Sequence, residues 1–313
     1  MEKETGYYMI DLVKINLLGA NLKKINLERA NLKRAKFEKT NLTGANLREA
    51  DLERADLDWS ILARANLVLT KLEKASFIGA NFQEANLFMA NLREANLFMA
   101  NLTGTNFQGA NLEGANLEGA NLERANLFMA DLERSNFKGT NLEGANLEGA
   151  NLSEANFKAT NLIKANLLGA DLKRTNLEGA NLERANLKET KLQGANLREA
   201  NLEGTAFIKS NLHGVNLVKS NLTGANLKDA NLRGTNFFMA NLEGANLEGA
   251  NLKGALNLSI DQLSQVGTLY NTKLDEQLLI KLKEYFPFLF KSLKQQFLEN
   301  QRNLLEMNAN NNL

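Results

Sequence analysis

The 313-residue sequence contains no cysteine, one proline and one histidine. Without cysteine the chain has no disulfide, no thiol nucleophile and no thiolate metal site, as is usual for proteins of the reducing cytoplasm. The lone His213 cannot build a histidine metal site, and we expect neither a metal nor another cofactor. No apolar run approaches the ~18 residues that a membrane-spanning helix needs, and residues 1–10 lack the apolar run of a secretory signal. We therefore expect a cytoplasmic protein without a membrane span.

The chain also lacks a large excess of positive or of negative charge. The formal net charge is +1, and the basic residues form no sustained stripe, so we expect no direct binding to nucleic acid. Residues 76–155 nevertheless sum to −6, and this acidic stretch is the one departure from neutrality that bears on function.

A five-residue unit fills the chain from Asp11 to Ala255. Every fifth residue from Leu12 to Leu252 is Leu or Phe, giving 49 such positions, here called centres. The residue two before the centre is Ala in 32 units and Ser or Thr in 13, and the residue just before it is Asn or Asp in 43. The two residues after the centre vary, so the unit reads A-N-L-x-x.

A period of five suits neither an α-helix nor a flat strand. On a helix the leucines would wind around the whole surface, and on a strand they would alternate between the two faces. All centres can point inward only if the chain turns a corner in every unit. Such a coil must stack on itself as in a parallel sheet, with Asn side chains forming hydrogen-bonded ladders. No departure from the pattern breaks its register, so we expect no long loop.

The residues that vary indicate four sides per coil. Five of the eight Phe centres share one phase of a 20-residue period: Phe37, Phe77, Phe137, Phe157 and Phe237. Ten of the twelve large apolar residues that directly follow a centre fall in two alternate phases of the same period, which on a four-sided coil are opposite one another.

Units such as residues 110–114 and 115–119, both Ala-Asn-Leu-Glu-Gly, resemble those of the pentapeptide-repeat proteins. The resemblance implies an all-β fold, a right-handed quadrilateral parallel β-helix, here with about 12 coils and a length of ~60 Å. The later stretch from Leu263 to Asp275, with Thr268-Leu269-Tyr270 and Lys273-Leu274-Asp275, resembles tails of cyanobacterial members.

We predict four segments: an N-terminal cap in residues 1–10, the β-helix in 11–255, an α-helical cap or appendage in 256–307 and a disordered tail in 308–313. Ser259 is expected to cap a short helix that ends near Gly267. An extended link, residues 268–274, leads to a second helix capped by Asp275 and ending near Tyr285. A third helix is expected over residues 288–306, with one apolar side formed by Phe290, Leu293, Phe297 and Leu304. Either these helices close the end of the coil, or the third one binds a partner or a second copy.

No set of converging polar groups indicates a catalytic site, so we do not expect an enzyme. The outward positions instead carry aromatic and Met side chains, which are typical of interaction surfaces. The predicted protein-interaction residues are Phe88, Met89, Phe98, Met99, Phe128, Met129, Phe238, Met239 and Trp59.

The sequence favours a non-catalytic structural or scaffolding protein that binds an unidentified protein through its outer faces. The alternative is a DNA mimic, because some pentapeptide-repeat proteins resemble duplex DNA in shape and charge and bind DNA gyrase in its place. Whether the chain is a monomer or a homodimer is left open by the sequence.

Overall fold

The computed structural model describes residues 10–292, together with residues 295, 298 and 301. Parallel bridges join residues that are 20 apart, from Asp11 with Asn31 to Asn236 with Leu256, without interruption. Four units therefore make one turn of the coil, and the prediction of an unbroken register is confirmed. We number the sides by their centres: side 1 runs from Leu12 to Leu252, side 2 from Leu17 to Phe237, side 3 from Leu22 to Leu242 and side 4 from Leu27 to Leu247.

Each unit is held to the coils on both sides by backbone hydrogen bonds. The amide of Leu112 donates to Asp131 O of the next coil at 2.7 Å, and the amide of Asn111 donates to Ala90 O of the preceding coil at 3.0 Å. The chain turns directly after each centre, and the second residue of the turn has a positive φ. Glycine occupies many of these turns because it adopts this conformation without a steric penalty, whereas Ala159 holds it at φ +55°.

The turn has the same geometry in every unit, and this geometry explains why Asn or Asp precedes the centre. The side-chain oxygen accepts a hydrogen bond from the amide two residues later, as from Phe128 N to Asn126 Oδ1 at 3.2 Å. The Nδ2 group of the same residue donates to Asn106 Oδ1 of the preceding coil at 3.0 Å. The expected Asn ladder is therefore present, and a second role, fastening each turn, is added to it.

The interior is filled by the centres and by the small residues two before them. Leu117 and Phe137 are fully buried, and the rings of Phe137 and Phe157 on successive coils stack with centroids 4.5 Å apart. Where Thr replaces Ala, its hydroxyl is satisfied by backbone, as in the 2.9 Å bond from Thr140 Oγ1 to Leu117 O. Every buried Ser or Thr hydroxyl two positions before a centre therefore has an acceptor inside the narrow core.

Between the last repeat and residue 292 the structure has two α-helices and one 3-10 helix: α1, Ile260–Ser264; α2, Glu276–Tyr285; and the 3-10 helix, Pro287–Phe290. Ser259 caps α1 through a capping box with Gln262, as expected. The helix nevertheless ends before Gly267, whose amide instead donates to Ala245 O of the coil at 2.9 Å.

Residues 268–274 are not the simple extended link that we predicted. Thr268 bridges Asn246 and Lys273 bridges Asn251, both in parallel. Leu269 and Leu274 are buried like centres, and Thr272 Oγ1 donates to Leu247 O at 2.7 Å. These residues therefore resume the five-residue unit on sides 4 and 1, after an insertion that lengthens the offset from 20 residues to 22.

The remaining helix predictions are partly correct. Asp275 lies at the N-cap position of α2, but its carboxylate accepts from Gly254 N of the coil, at 3.1 and 3.2 Å, and makes no bond to the helix. Phe290 belongs to the 3-10 helix, so the third α-helix does not begin at residue 288. Gln295, Leu298 and Gln301, the residues that the structure describes within 293–307, are α-helical, and Gln295 N donates to Ser292 Oγ at 3.2 Å, so a helix is present but begins later than predicted. The other predicted contacts of the third helix, Leu293, Phe297 and Leu304, lie outside the described residues, as do residues 1–9 and 308–313.

Candidate protein-binding surface

The outward side chains of the coil are presented mainly at its corners. A corner consists of the two residues after a centre, and the second of these has a positive φ. Met89 and Met99 hold φ +53° and +56° and are 53% and 60% exposed. The residue before the centre is half-buried on most units because it takes part in the Asn ladder. Large apolar residues at corners are therefore the most accessible apolar groups of the repeat.

The nine predicted interaction residues are divided between two opposite corners. We call the corner that follows side 2 corner 2, and the corner that follows side 4 corner 4. Corner 2 carries Trp59, Phe98, Met99, Phe238 and Met239, and corner 4 carries Phe88, Met89, Phe128 and Met129. The residues thus do not form one continuous site.

On corner 2 the apolar residues of three consecutive coils lie together. Trp59 is 57% exposed, and its ring covers Gly79 so closely that a Cβ there would lie 2.4 Å from a ring carbon. Ile78 stands beside that glycine in the sequence, and Phe98 and Met99 occupy the next coil. We call Trp59, Ile78, Phe98 and Met99 the corner-2 patch. Ile78 was absent from the predicted site, although its place among the apolar residues that follow a centre could have indicated it.

On corner 4 the apolar residues form a longer row. Val68, Leu69, Phe88 and Met89 occupy two consecutive coils, and Phe128 and Met129 follow after one coil that carries Gln108 and Gly109. The side chain of Met89 leans over Gly109, with its Cγ 3.4 Å from where a Cβ would stand, and Met129 leans over Gly149 in the same way. We call these six apolar residues the corner-4 row.

Phe238 and Met239 have different surroundings from the other pairs. They line an open groove between the last coil and α1, together with Asn241, Leu258 and Gln262. Gln262 Nε2 fastens α1 to the coil by donating to Phe237 O and Ala240 O at 2.9 and 2.8 Å. These two apolar residues, 50% and 64% exposed, therefore lie seven coils away from Phe98 and Met99 on the same corner.

Charged side chains pair along the axis of the coil. Arg64 Nε lies 2.8 Å from Glu84 Oε2, and Lys138 Nζ lies 3.0 Å from Glu118 Oε1, each pair being one coil apart. Hydrogen bonds from Lys138 and Asn136 hold the pKa of the Glu118 carboxyl below its ordinary value. Within the acidic stretch 76–155, seven carboxylates lie within 4 Å of a Lys or Arg nitrogen: those of Glu84, Glu94, Glu113, Glu118, Glu123, Glu133 and Glu154.

The described residues hold no group of three or more His, Cys, Asp or Glu that could bind a metal ion. His213 is exposed, as predicted, and its Nδ1 lies 2.8 Å from Arg233 O. None of the helices in the described part of the chain combines the length and the apolar character that a membrane crossing requires.

Comparison with known proteins relates the chain to one family. The family described as pentapeptide repeats matches residues 10–48, 50–88 and, in overlapping blocks, 90–254. No curated protein sequence gives a significant match.

Solved structures of pentapeptide-repeat proteins are similar to the chain. HetL from the cyanobacterium Nostoc sp. strain PCC 7120, involved in heterocyst differentiation regulation, is 31% identical over 76% of this chain and 89% of its own, with a TM-score of 0.38. Rfr23 from the cyanobacterium Cyanothece 51142 is 31% identical over 39% of this chain and 90% of its own, with a TM-score of 0.26. QnrB1, a plasmid-mediated fluoroquinolone resistance protein, is 19% identical over 70% and 94%, with a TM-score of 0.36.

Proposed function

Because the chain belongs to the pentapeptide-repeat family, whose fold is a right-handed quadrilateral β-helix, we propose that it is a non-catalytic scaffolding protein. In this proposal the corner-2 patch binds a protein partner. Members of the family are generally structural or protein-binding proteins. The fold itself does not name a partner, so the proposal depends on the residues that vary between units.

The observation that carries the proposal is the corner-2 patch. Trp59 and Met99 are both more than half exposed, and Ile78 and Phe98 lie half-buried between them. Trp is the residue most enriched among those that dominate binding energy at protein interfaces, and Met is also enriched there. The ring of Trp59 is already held against Gly79, so little side-chain entropy is lost when a partner covers it.

Affinity capture from the native cell tests the proposal. A double variant, Trp59→Ser with Phe98→Ser, should lose the partner that the wild type captures. A matched variant, Phe238→Ser with Met239→Ser, makes similar changes on the same corner seven coils away and should retain it. Equal capture by the wild type and by the Trp59 and Phe98 variant would contradict the proposal.

For the segment after the repeat, we propose that residues 256–307 close the end of the coil. The support is the burial of one leucine from each of α1, α2 and the 3-10 helix, namely Leu263, Leu282 and Leu289, and the 2.7 Å bond from Leu269 N to Leu289 O. A stacked coil needs such closure because its end otherwise exposes apolar residues and unpaired backbone groups. Removal of residues 256–313 should cause aggregation or fraying. A soluble, intact coil that has lost its partner would show instead that the segment is a docking element.

The DNA-mimic alternative is not favoured by the electrostatics. A mimic of duplex DNA has to present closely and regularly spaced negative charge, whereas seven carboxylates of the acidic stretch are paired with Lys or Arg. We expect no inhibition in a gyrase supercoiling assay. Inhibition at low-micromolar protein would favour the alternative instead.

A further inference from the structure

Corner 4 has a feature that corner 2 lacks: its residues are arranged almost symmetrically about one coil. The coil of Gln108 and Gly109 lies between a coil with Phe88 and Met89 and a coil with Phe128 and Met129. We propose that two copies of this chain pair side by side and antiparallel through corner 4, with a two-fold axis at the level of Gln108. This inference goes beyond the proposed function, since it concerns the opposite corner.

The symmetry axis would lie in the plane of contact and perpendicular to both coils. Such an axis makes the second copy run in the opposite direction, and it brings corner 4 of one copy against corner 4 of the other. The first residue of each corner then faces the first residue of the other, and the second faces the second. Phe88 of one copy then lies at the level of Phe128 of the other, and Met89 at the level of Met129. Because Met89 and Met129 are 53% and 63% exposed in the single chain, this pairing removes the most accessible apolar groups of corner 4 from water.

Charges farther along the corner agree with the same axis. Four coils before Gln108 the corner carries Glu28 and Arg29, and four coils after it carries Lys188 and Glu189. In the antiparallel pair Glu28 faces Lys188 and Arg29 faces Glu189, at both ends of a contact ~38 Å long. All four residues are exposed, and Arg29 also pairs with Glu49 of its own chain, 2.7 Å away. Exposed charges at the rim of a contact can steer and align two copies.

In the coils between these two ends, the antiparallel arrangement brings no two like charges of corner 4 opposite each other. Arg48 faces Leu168, and Glu148 faces Val68. In the pair, Arg48 and Glu148 of different copies are only one coil apart, about 4.8 Å along the axis, so these two opposite charges attract across the contact. The whole corner from Glu28 to Glu189 is therefore compatible with one axis.

Corner 2 does not pair its apolar residues in this way. An axis at the level of Phe98 would place Asp58 opposite Lys138 and Glu38 opposite Lys158, but it would set Ile78 against Glu118 and Trp59 against Gly139. An axis at the level of Ile78 would place Glu38 opposite Glu118. An axis midway between the coils of Ile78 and Phe98 would place Asp58 opposite Glu118. Like charges in register are unfavourable at an interface. The corner-2 patch therefore fits a different protein, and corner 4 fits a second copy.

Sedimentation equilibrium of the full chain tests the inference, with circular dichroism as the check that each variant keeps its fold. The wild type should dimerise, and Phe88→Ser with Phe128→Ser should weaken the dimer ~100-fold or more, because four rings leave the contact. The control variant, Trp59→Ser with Phe98→Ser, should leave dimerisation unchanged. A monomeric wild type at ~100 µM would overturn the inference without affecting the corner-2 proposal, and so would a dimer that the Phe88 and Phe128 changes leave intact.

A charge exchange tests the direction of the two copies. Glu28→Lys alone, or Lys188→Glu alone, should weaken the dimer by roughly 3- to 10-fold, because each puts like charges opposite each other twice. An equimolar mixture of the two single variants should restore wild-type affinity, and so should both changes in one chain. Losses that add rather than cancel would overturn the antiparallel arrangement.

Discussion

The interior and the corners of the coil are built from the same five-residue unit, yet they differ in how much sequence variation they accept. Leu117 is fully buried, whereas Glu118, the next residue, lies on the surface with 34% of its side chain exposed. Every centre from Leu32 to Leu247 is buried Leu or Phe, but the corners carry residues as different as Glu, Lys, Gly, Trp, Phe and Met. The unit therefore separates stability, which the centres provide, from recognition, which is left to the corners.

The largest effect is expected where the interior is changed. Leu117→Ala should lower the free energy of unfolding by about 2–5 kcal/mol, because it removes buried methyl groups and leaves a cavity between closely stacked coils. Urea denaturation followed by circular dichroism measures the change. A loss below ~1 kcal/mol would show that the centre is not packed as described.

The comparison between interior and corners also shows what can be predicted from sequence. The inward direction of the centres follows from their unbroken spacing, because a coil that turns in every unit is the one arrangement that buries all of them. The Asn ladder follows from the same register. The stacking of Phe137 on Phe157 was likewise indicated by their shared phase in the 20-residue period.

Two features could not be predicted in this way. The repeat resumes at Leu269 and Leu274, but α1 shifts the spacing by two residues, so these centres no longer fall on the positions that the earlier units define. The contact of Trp59 with Gly79 depends on which way a corner side chain leans along the axis. That direction is set by a side-chain rotamer, which the spacing of residues does not specify.

A smaller effect than that of Leu117 is expected at a corner glycine that another side chain covers. Gly79→Ala puts a Cβ 2.4 Å from the Trp59 ring and also requires Ala at φ +62°. We expect a loss of about 1–3 kcal/mol and a red-shifted fluorescence from the single Trp of the chain, because the ring has to move into water. Gly139→Ala is the matched control, since nothing lies within 4 Å of its Cβ position, and it should cost about 1 kcal/mol without any spectral shift. Identical results for both variants would contradict the described contact.

The residue before the centre belongs to both regions, so its effect should be intermediate between theirs and small. Asn126→Leu removes the bonds to Phe128 N, Asn106 and Asn146 and should cost about 1–2 kcal/mol in urea denaturation. Asn126→Asp keeps the oxygen that accepts from Phe128 N and from Asn146 Nδ2, and loses only the donor to Asn106. We therefore expect the Asp variant to lose less stability than the Leu variant, and the reverse order would show that the turn bond is unimportant.

The smallest effect is expected at Glu118, on the surface beside Leu117. Its pKa is held below the ordinary 4.5 by the hydrogen bond from Lys138, with a further one from Asn136. Since the folded-state pKa is the lower one, the contribution of this carboxylate to stability is fully present above pH 4.5 and is lost as the pH falls through the folded-state value. Glu118→Gln should therefore be slightly less stable than the wild type at pH 7, and the difference should vanish in acid. Thermal melts at a series of pH values measure this difference, and a difference that grows as the pH falls would contradict the pairing of Glu118 with Lys138, because acid protonates the carboxylate and abolishes its advantage over Gln.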